Sequence, residues 1–120
     1  MKLVEIWRAA SSILVLAAGL VLSKESQAQN DELDAAIQAY QDCLYRAAAQ
    51  HDDLKSDPAA IAGAIVPMCA QEYAAEKAAW GKNFSDLAAA RTEFARMDAL
   101  QARQAADVVL KERQDKAKRN

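Results

Sequence analysis

The chain has 120 residues, of which 15 are Lys or Arg and 17 are Asp or Glu, for a net charge of −2 at pH 7. That balance excludes the dense basic surface of a general nucleic-acid or anionic-membrane binder, and the length fits a single domain. The apolar fraction of 52% overstates the core, because much of it is alanine, which forms helix best of all residues but buries little surface.

The first segment reads MKLVEIWRAASSILVLAAGLVLSKESQAQ. Lys2 and Arg8 give a positive start that Glu5 dilutes, Ser11 to Leu22 form an uncharged and mainly apolar run, and Ser26 and Ala28 place small residues at −3 and −1 of a cut after Ala28. This pattern predicts a secretory signal peptide over residues 1–28, cleaved on export. The alternative is a membrane anchor, but spanning takes roughly 20 apolar residues and Arg8 interrupts any extension. No cysteine follows the run to carry a lipid. The expected destination is the periplasm of a bacterial-type cell envelope or the medium outside, with no stable membrane anchor after cleavage.

Residues 29–120 carry a net charge of −3 and contain 24 alanines, against 14 Leu, Ile, Val and Phe together. A core this poor in bulky residues calls for a covalent staple or an oligomeric partner. No stretch alternates with period two, so the expectation is all-α.

A first helix is predicted from about Glu32 to Gln50, capped by Asn30 or Asp31. Leu33, Ile37, Tyr40, Leu44 and Ala47 form one stripe along it, with Cys43 beside that stripe. The stretch HDDLKSDP then reads as a short connection.

A second helix opens with Asp57 as cap and Pro58 at its first position, where the missing amide costs nothing. Ile61, Ile65, Cys69 and Tyr73 recur every four residues. Pro67 lies inside this run, where it deletes a hydrogen bond and presses on the carbonyl of Gly63, four residues back. A kink near Gly63 to Pro67 follows, or else two short helices that meet there.

Gly81 reads as the residue just past the last turn of the second helix, and a long third helix is expected from about Asn83 or Ser85. Phe84, Leu87, Phe94 and Met97 supply its apolar face. Beyond Leu100 the pattern degrades to an isolated patch of Val108, Val109 and Leu110. The acid-before-base pairs Asp107–Lys111, Glu112–Lys116 and Asp115–Arg119 are expected to stabilise a solvated helical tail over residues 101–120.

Cys43 and Cys69 are the only two cysteines. In an exported chain an even count reads as disulfide bonding, and an antiparallel helical hairpin brings this pair together. Closing a loop of this length is worth about 3.5 kcal/mol in the chain-entropy model. A redox pair would show closer spacing such as C-x-x-C. A metal site would need more ligands than the single histidine, His51, provides. No metal ligands, cofactor site or catalytic group can be assigned. His51 with Asp52 and Asp53 is most simply a helix end, and Glu72 with Glu76 reads as an exposed pair one turn apart. The residues marked for protein recognition are Tyr45, Trp80 and Val109, while Tyr40 and Tyr73 are assigned to the core, where Trp80 also fits.

The segment AIVPMCAQE, Ala64 to Glu72, resembles the surroundings of the second cysteine in the small acid-stress chaperones of the HdeA kind, which are exported, all-helical and joined by one disulfide. The resemblance covers nine residues, and the cysteines here lie closer in sequence than theirs, so no functional residue is carried over. What it implies is a holdase for stress conditions.

The resulting expectation is a disulfide-linked helical hairpin with a kinked second helix, packed on a long third helix whose C-terminal end is exposed. Its domains are the leader 1–28, the stapled body 29–100 and the charged tail 101–120. The favoured function is a non-enzymatic protein-interaction module, with a protein partner or self-association and no small molecule or nucleic acid. A periplasmic holdase is the alternative, and a small-ligand carrier or enzyme is the third reading.

Overall fold

The computed structural model describes residues 27–120. The leader predicted over residues 1–28 lies almost wholly outside them. The elements are α1 (Lys2–His51), α2 (Pro58–Ile65), a 3-10 turn (Val66–Cys69), α3 (Ala70–Gly81) and α4 (Leu87–Arg119). Among the described residues all regular structure is helical, and no helix is long and apolar enough to cross a membrane.

Leu33–Asn120 forms one compact unit. Within it Gln101 reaches Tyr40 and Arg113 reaches Asp52, both at a separation of 61 residues. From the first bond to the second both partners advance along the chain, so α4 runs parallel to the end of α1. The arm made by α2, the turn and α3 runs the opposite way between them. The path is up, down, up, and the Cys43–Cys69 disulfide joins the first two legs, with Cα atoms 5.9 Å apart.

The core follows from the stripes. Tyr40, Leu44, Ala47 and Ala48 of α1 meet Ile61, Ala62 and Ile65 of α2, Cys69 and Tyr73 beyond the bend, and Ala105, Val108 and Val109 of α4. Tyr40, Leu44, Ile65, Cys69 and Val109 are fully enclosed. Each large apolar side chain removed from water stabilises by about 1.5–3 kcal/mol. The alanines act through their size: they let the helix axes approach closely enough for these few large residues to interdigitate.

The middle arm forms as its residues require. Asp57 Oδ1 accepts the amide of Ala59 at 2.9 Å, and Pro58 follows at the first helical position. Pro67 has no amide to give to Gly63, and the chain tightens into the 3-10 turn Val66–Cys69 before α3 resumes. The bend therefore falls on the proline and the cysteine after it, and the two legs are joined helices at an altered pitch.

Several expectations need correction. Asn30 and Asp31 cap nothing, because α1 continues through them; no glycine or proline occurs between Gly19 and Pro58 to stop it. Gly81 belongs to the last turn of α3, and α4 starts at Leu87 under the cap Asp86, whose Oδ1 accepts the amide of Ala88 at 2.9 Å. The core does not stop at Leu100. Ala105, Val108 and Val109 are buried, and only 117–120 at the end of the chain are uniformly exposed. Glu112 pairs with Arg119 at 3.4 Å while Lys116 donates to the carbonyl of Ala49, so the expected Glu112–Lys116 pair gives way to a tie across helices.

Candidate functional site

Helical spacing on α3 and α4 builds a groove. On α3, Tyr73, Glu76 and Trp80 stand three and four residues apart; on α4, Glu93, Met97, Leu100 and Gln104 do the same. Each set therefore forms one stripe, and the two stripes face each other across about 180 Å³ of open space, with Arg96 at the rim. Its walls combine the aromatic and aliphatic side chains of Tyr73, Trp80, Met97 and Leu100 with the polar Glu93, Arg96 and Gln104.

Glu76 forms the floor. It is only 8% exposed and is the one charged residue in the buried set of the described chain. Burial, the larger effect, pushes its pKa above the ordinary 4.5, and the neighbouring Trp80 indole acts in the opposite direction. The second oxygen, Oε2, has no hydrogen-bond partner. An unmatched buried polar atom of this kind costs roughly 1–3 kcal/mol, and more when charged.

The neighbouring cations are engaged elsewhere. The Arg96 guanidinium grips Glu93, with Nε 3.0 Å from Oε2 and a second nitrogen on Oε1, and this holds the Glu93 carboxyl below its usual range. Lys77 lies 4.7 Å over the Tyr73 ring and 3.3 Å from Asp98. The Tyr73 hydroxyl donates to Asp98 at 2.6 Å, which holds Asp98 low. Burial and the adjacent Asp98 push the Tyr73 phenol well up. Tyr73 also packs on Tyr40, centroids 5.1 Å apart, so the groove wall is continuous with the core.

A second polar tie closes the other end of α4. Arg113 donates to both oxygens of Asp52 at 2.8 Å and to the carbonyl of Ser56 at 2.7 Å. The Asp52 side chain is fully enclosed, and Arg113 holds its carboxyl low. Asp52 also accepts the amide of Leu54, which has a left-handed φ of 62°. Asp53 accepts the Ser56 hydroxyl and the amides of Ser56 and Lys55, and the Ser56 bonds bring its pKa down to about 2. The connection is thus a set of carboxylate-capped turns.

Of the residues marked for recognition, Trp80 lines the groove. Tyr45 is half-buried against the core, with the Lys111 ammonium 6.0 Å over its ring, beside a shallow shelf shared with Asp42, Arg46 and Glu72. Val109 is fully enclosed and so presents nothing to a partner; α1 and α2 cover it. Cys43 and Cys69 are joined as expected. Glu76 was missed as a site residue. The available signal was its spacing, three residues after Tyr73 and four before Trp80, which puts it on the buried face and not in an exposed pair with Glu72.

Among the described residues no group of His, Cys, Asp and Glu could hold a metal ion. Comparison with family models, characterised proteins and solved structures finds no match.

Proposed function

We propose that the protein is an exported, non-enzymatic helical module that binds another protein through the groove between α3 and α4. The observation that carries this reading is the unpartnered oxygen of Glu76, a buried residue lining a groove that Tyr73, Trp80, Met97 and Leu100 share with Glu93, Arg96 and Gln104: a folded core tolerates such an atom poorly, and a bound group would satisfy it. A small groove flanked by aromatic residues also suits one anchoring side chain of a partner. The disulfide is compatible with an oxidising compartment, in keeping with the leader predicted over 1–28. The test is affinity capture of the tagged, oxidised protein beside Met97→Trp, which fills the groove. One near-stoichiometric companion with the parent, lost from the variant, is expected. Recovery of the same companions by both, or of none by the parent, sinks the reading.

An acid-responsive holdase is the second reading, favoured by the carboxylates that lash α4 down. Asp52 and Asp98 lose their charge on acidification, which weakens the ties to Arg113, Lys77 and Tyr73, while the disulfide still holds α1 to the middle arm. Under this reading capture yields a broad set of clients that grows as pH falls.

A further inference from the structure

Resting on the interaction-module reading, we propose that the groove is a lysine-reading site, taking the ammonium-bearing side chain of a lysine from the partner protein, with Glu76 Oε2 as its acceptor.

Four observations converge on this chemistry. The floor offers a carboxylate oxygen without a partner, and the one cation on the rim, Arg96, is already gripped by Glu93. The occupant must therefore bring its own donor, and a positive one matches the charge it meets. Only one oxygen, Oε2, is buried without a partner. A guanidinium fork is best matched by two carboxylate oxygens, whereas an ammonium is a point charge satisfied by one. The open volume of about 180 Å³, at about 30 Å³ per water, is that of roughly six waters; it holds one unbranched side chain and not a folded segment. Finally, Trp80, Met97 and Leu100 give the methylene stem an apolar wall, and the indole face favours a cation beside it.

Less than 1 Å² of Oε2 is accessible, so the incoming side chain moves part of the wall aside. Met97 is the adaptable member, half-buried and unbranched. Seating the ammonium also reverses the unfavourable burial of the Glu76 charge, so the bound state holds an ion pair where the free protein holds a desolvated carboxyl.

The experiment uses the full, oxidised protein labelled with ¹⁵N and reads the Trp80 indole N–H, assigned by its loss in Trp80→Phe. The probe is lysine blocked at both ends as Nα-acetyl-lysine N-methylamide; the controls are its Nε-acetylated form and the corresponding blocked arginine. The expected result is a saturable shift with the lysine compound, about tenfold weaker or worse with each control, a factor that corresponds to about 1.4 kcal/mol. Glu76→Gln keeps an acceptor for Trp80 but removes the charge, and should abolish the shift; Met97→Trp should do so with Glu76 intact. The amide spectrum of each variant reports whether it has folded. No shift with the blocked lysine, or an equal shift with its acetylated form, overturns the lysine site. So does a shift that follows protein concentration in place of probe, which marks a second copy of the chain as the occupant. Capture separates the two readings: a companion retained by Glu76→Gln but lost by Met97→Trp leaves the interaction module standing and removes the lysine anchor.

Discussion

The two halves of α4 invert what their side chains suggest. The first, 87–100, carries Leu87, Phe94, Met97 and Leu100, yet Leu87 is 66% and Leu100 43% exposed and the other two are only half-buried. The second, 101–116, offers little beyond Ala105, Val108 and Val109, and all three are buried. The difference lies in what stands opposite. The second half faces α1 and α2, where Ala47, Ala48 and Ala62 let the backbones close up, so small residues suffice to fill the space. The first half meets Tyr73, Glu76 and Trp80 of α3 across open space, and its larger residues leave a groove there. Burial here is a property of the neighbouring surface more than of the residue itself.

That contrast can be broken most severely at Val109. Val109→Asp puts an unpaired charge into the centre of the core, at a cost of several kcal/mol, and should leave the protein unfolded by circular dichroism. Leu87→Asp, on the nominally stronger half, should change stability by less than about 0.5 kcal/mol. Equal effects at the two sites would overturn the assignment of the core to the second half.

Opening the disulfide comes next. Cys43→Ala with Cys69→Ala should lower unfolding free energy by about 3.5 kcal/mol, read from urea titration. Both halves of α4 should loosen together in hydrogen exchange, because both pack on the arm the disulfide fixes. Tyr40→Phe is smaller: it removes the 3.1 Å bond from Gln101 at the junction of the halves and should cost about 1 kcal/mol.

The pH profile sharpens the same comparison, since the groove half holds a carboxyl pushed up and the ties hold carboxyls pulled down. Glu76 titrates above its ordinary 4.5 in the folded state. Its contribution is fully present below that value and is lost as pH rises through the folded pKa. Asp52 and Asp98 titrate below 3.8. Their contribution is present above 3.8 and is lost as pH falls through their folded values. The urea midpoint should therefore peak between the two ranges and decline on both sides. Glu76→Gln should flatten the decline toward neutral pH only, and Asp52→Asn the acid decline only. A Glu76→Gln profile superimposable on the parent's would remove the groove carboxyl from this account.

Much of the architecture was legible because helix formation and stapling are local or nearly so. Asp57-Pro58 gave the start of the middle arm, the four-residue recurrence of Ile61, Ile65, Cys69 and Tyr73 gave its buried face, and two cysteines in a chain with an export-like start left one intramolecular pairing. The groove was less legible. Trp80 stood out as an aromatic, but Glu76 was paired by spacing with the partly exposed Glu72, when its spacing to Tyr73 and Trp80 was the relevant one. Val109 was read as a surface patch because the pattern of α4 fades before it.

By itself, then, the sequence determined an all-helical chain, a bend at Pro67 and the Cys43–Cys69 link, since backbone propensity, a missing amide and the count of thiols act without reference to distant residues. Only the tertiary structure decided which half of α4 is core, that Asp52 is locked by Arg113, and that Glu76 lies buried with an oxygen unmet. Those outcomes depend on the parallel, 61-residue register of α4 against α1, and a register is set by how whole faces fit, which no single stripe reveals.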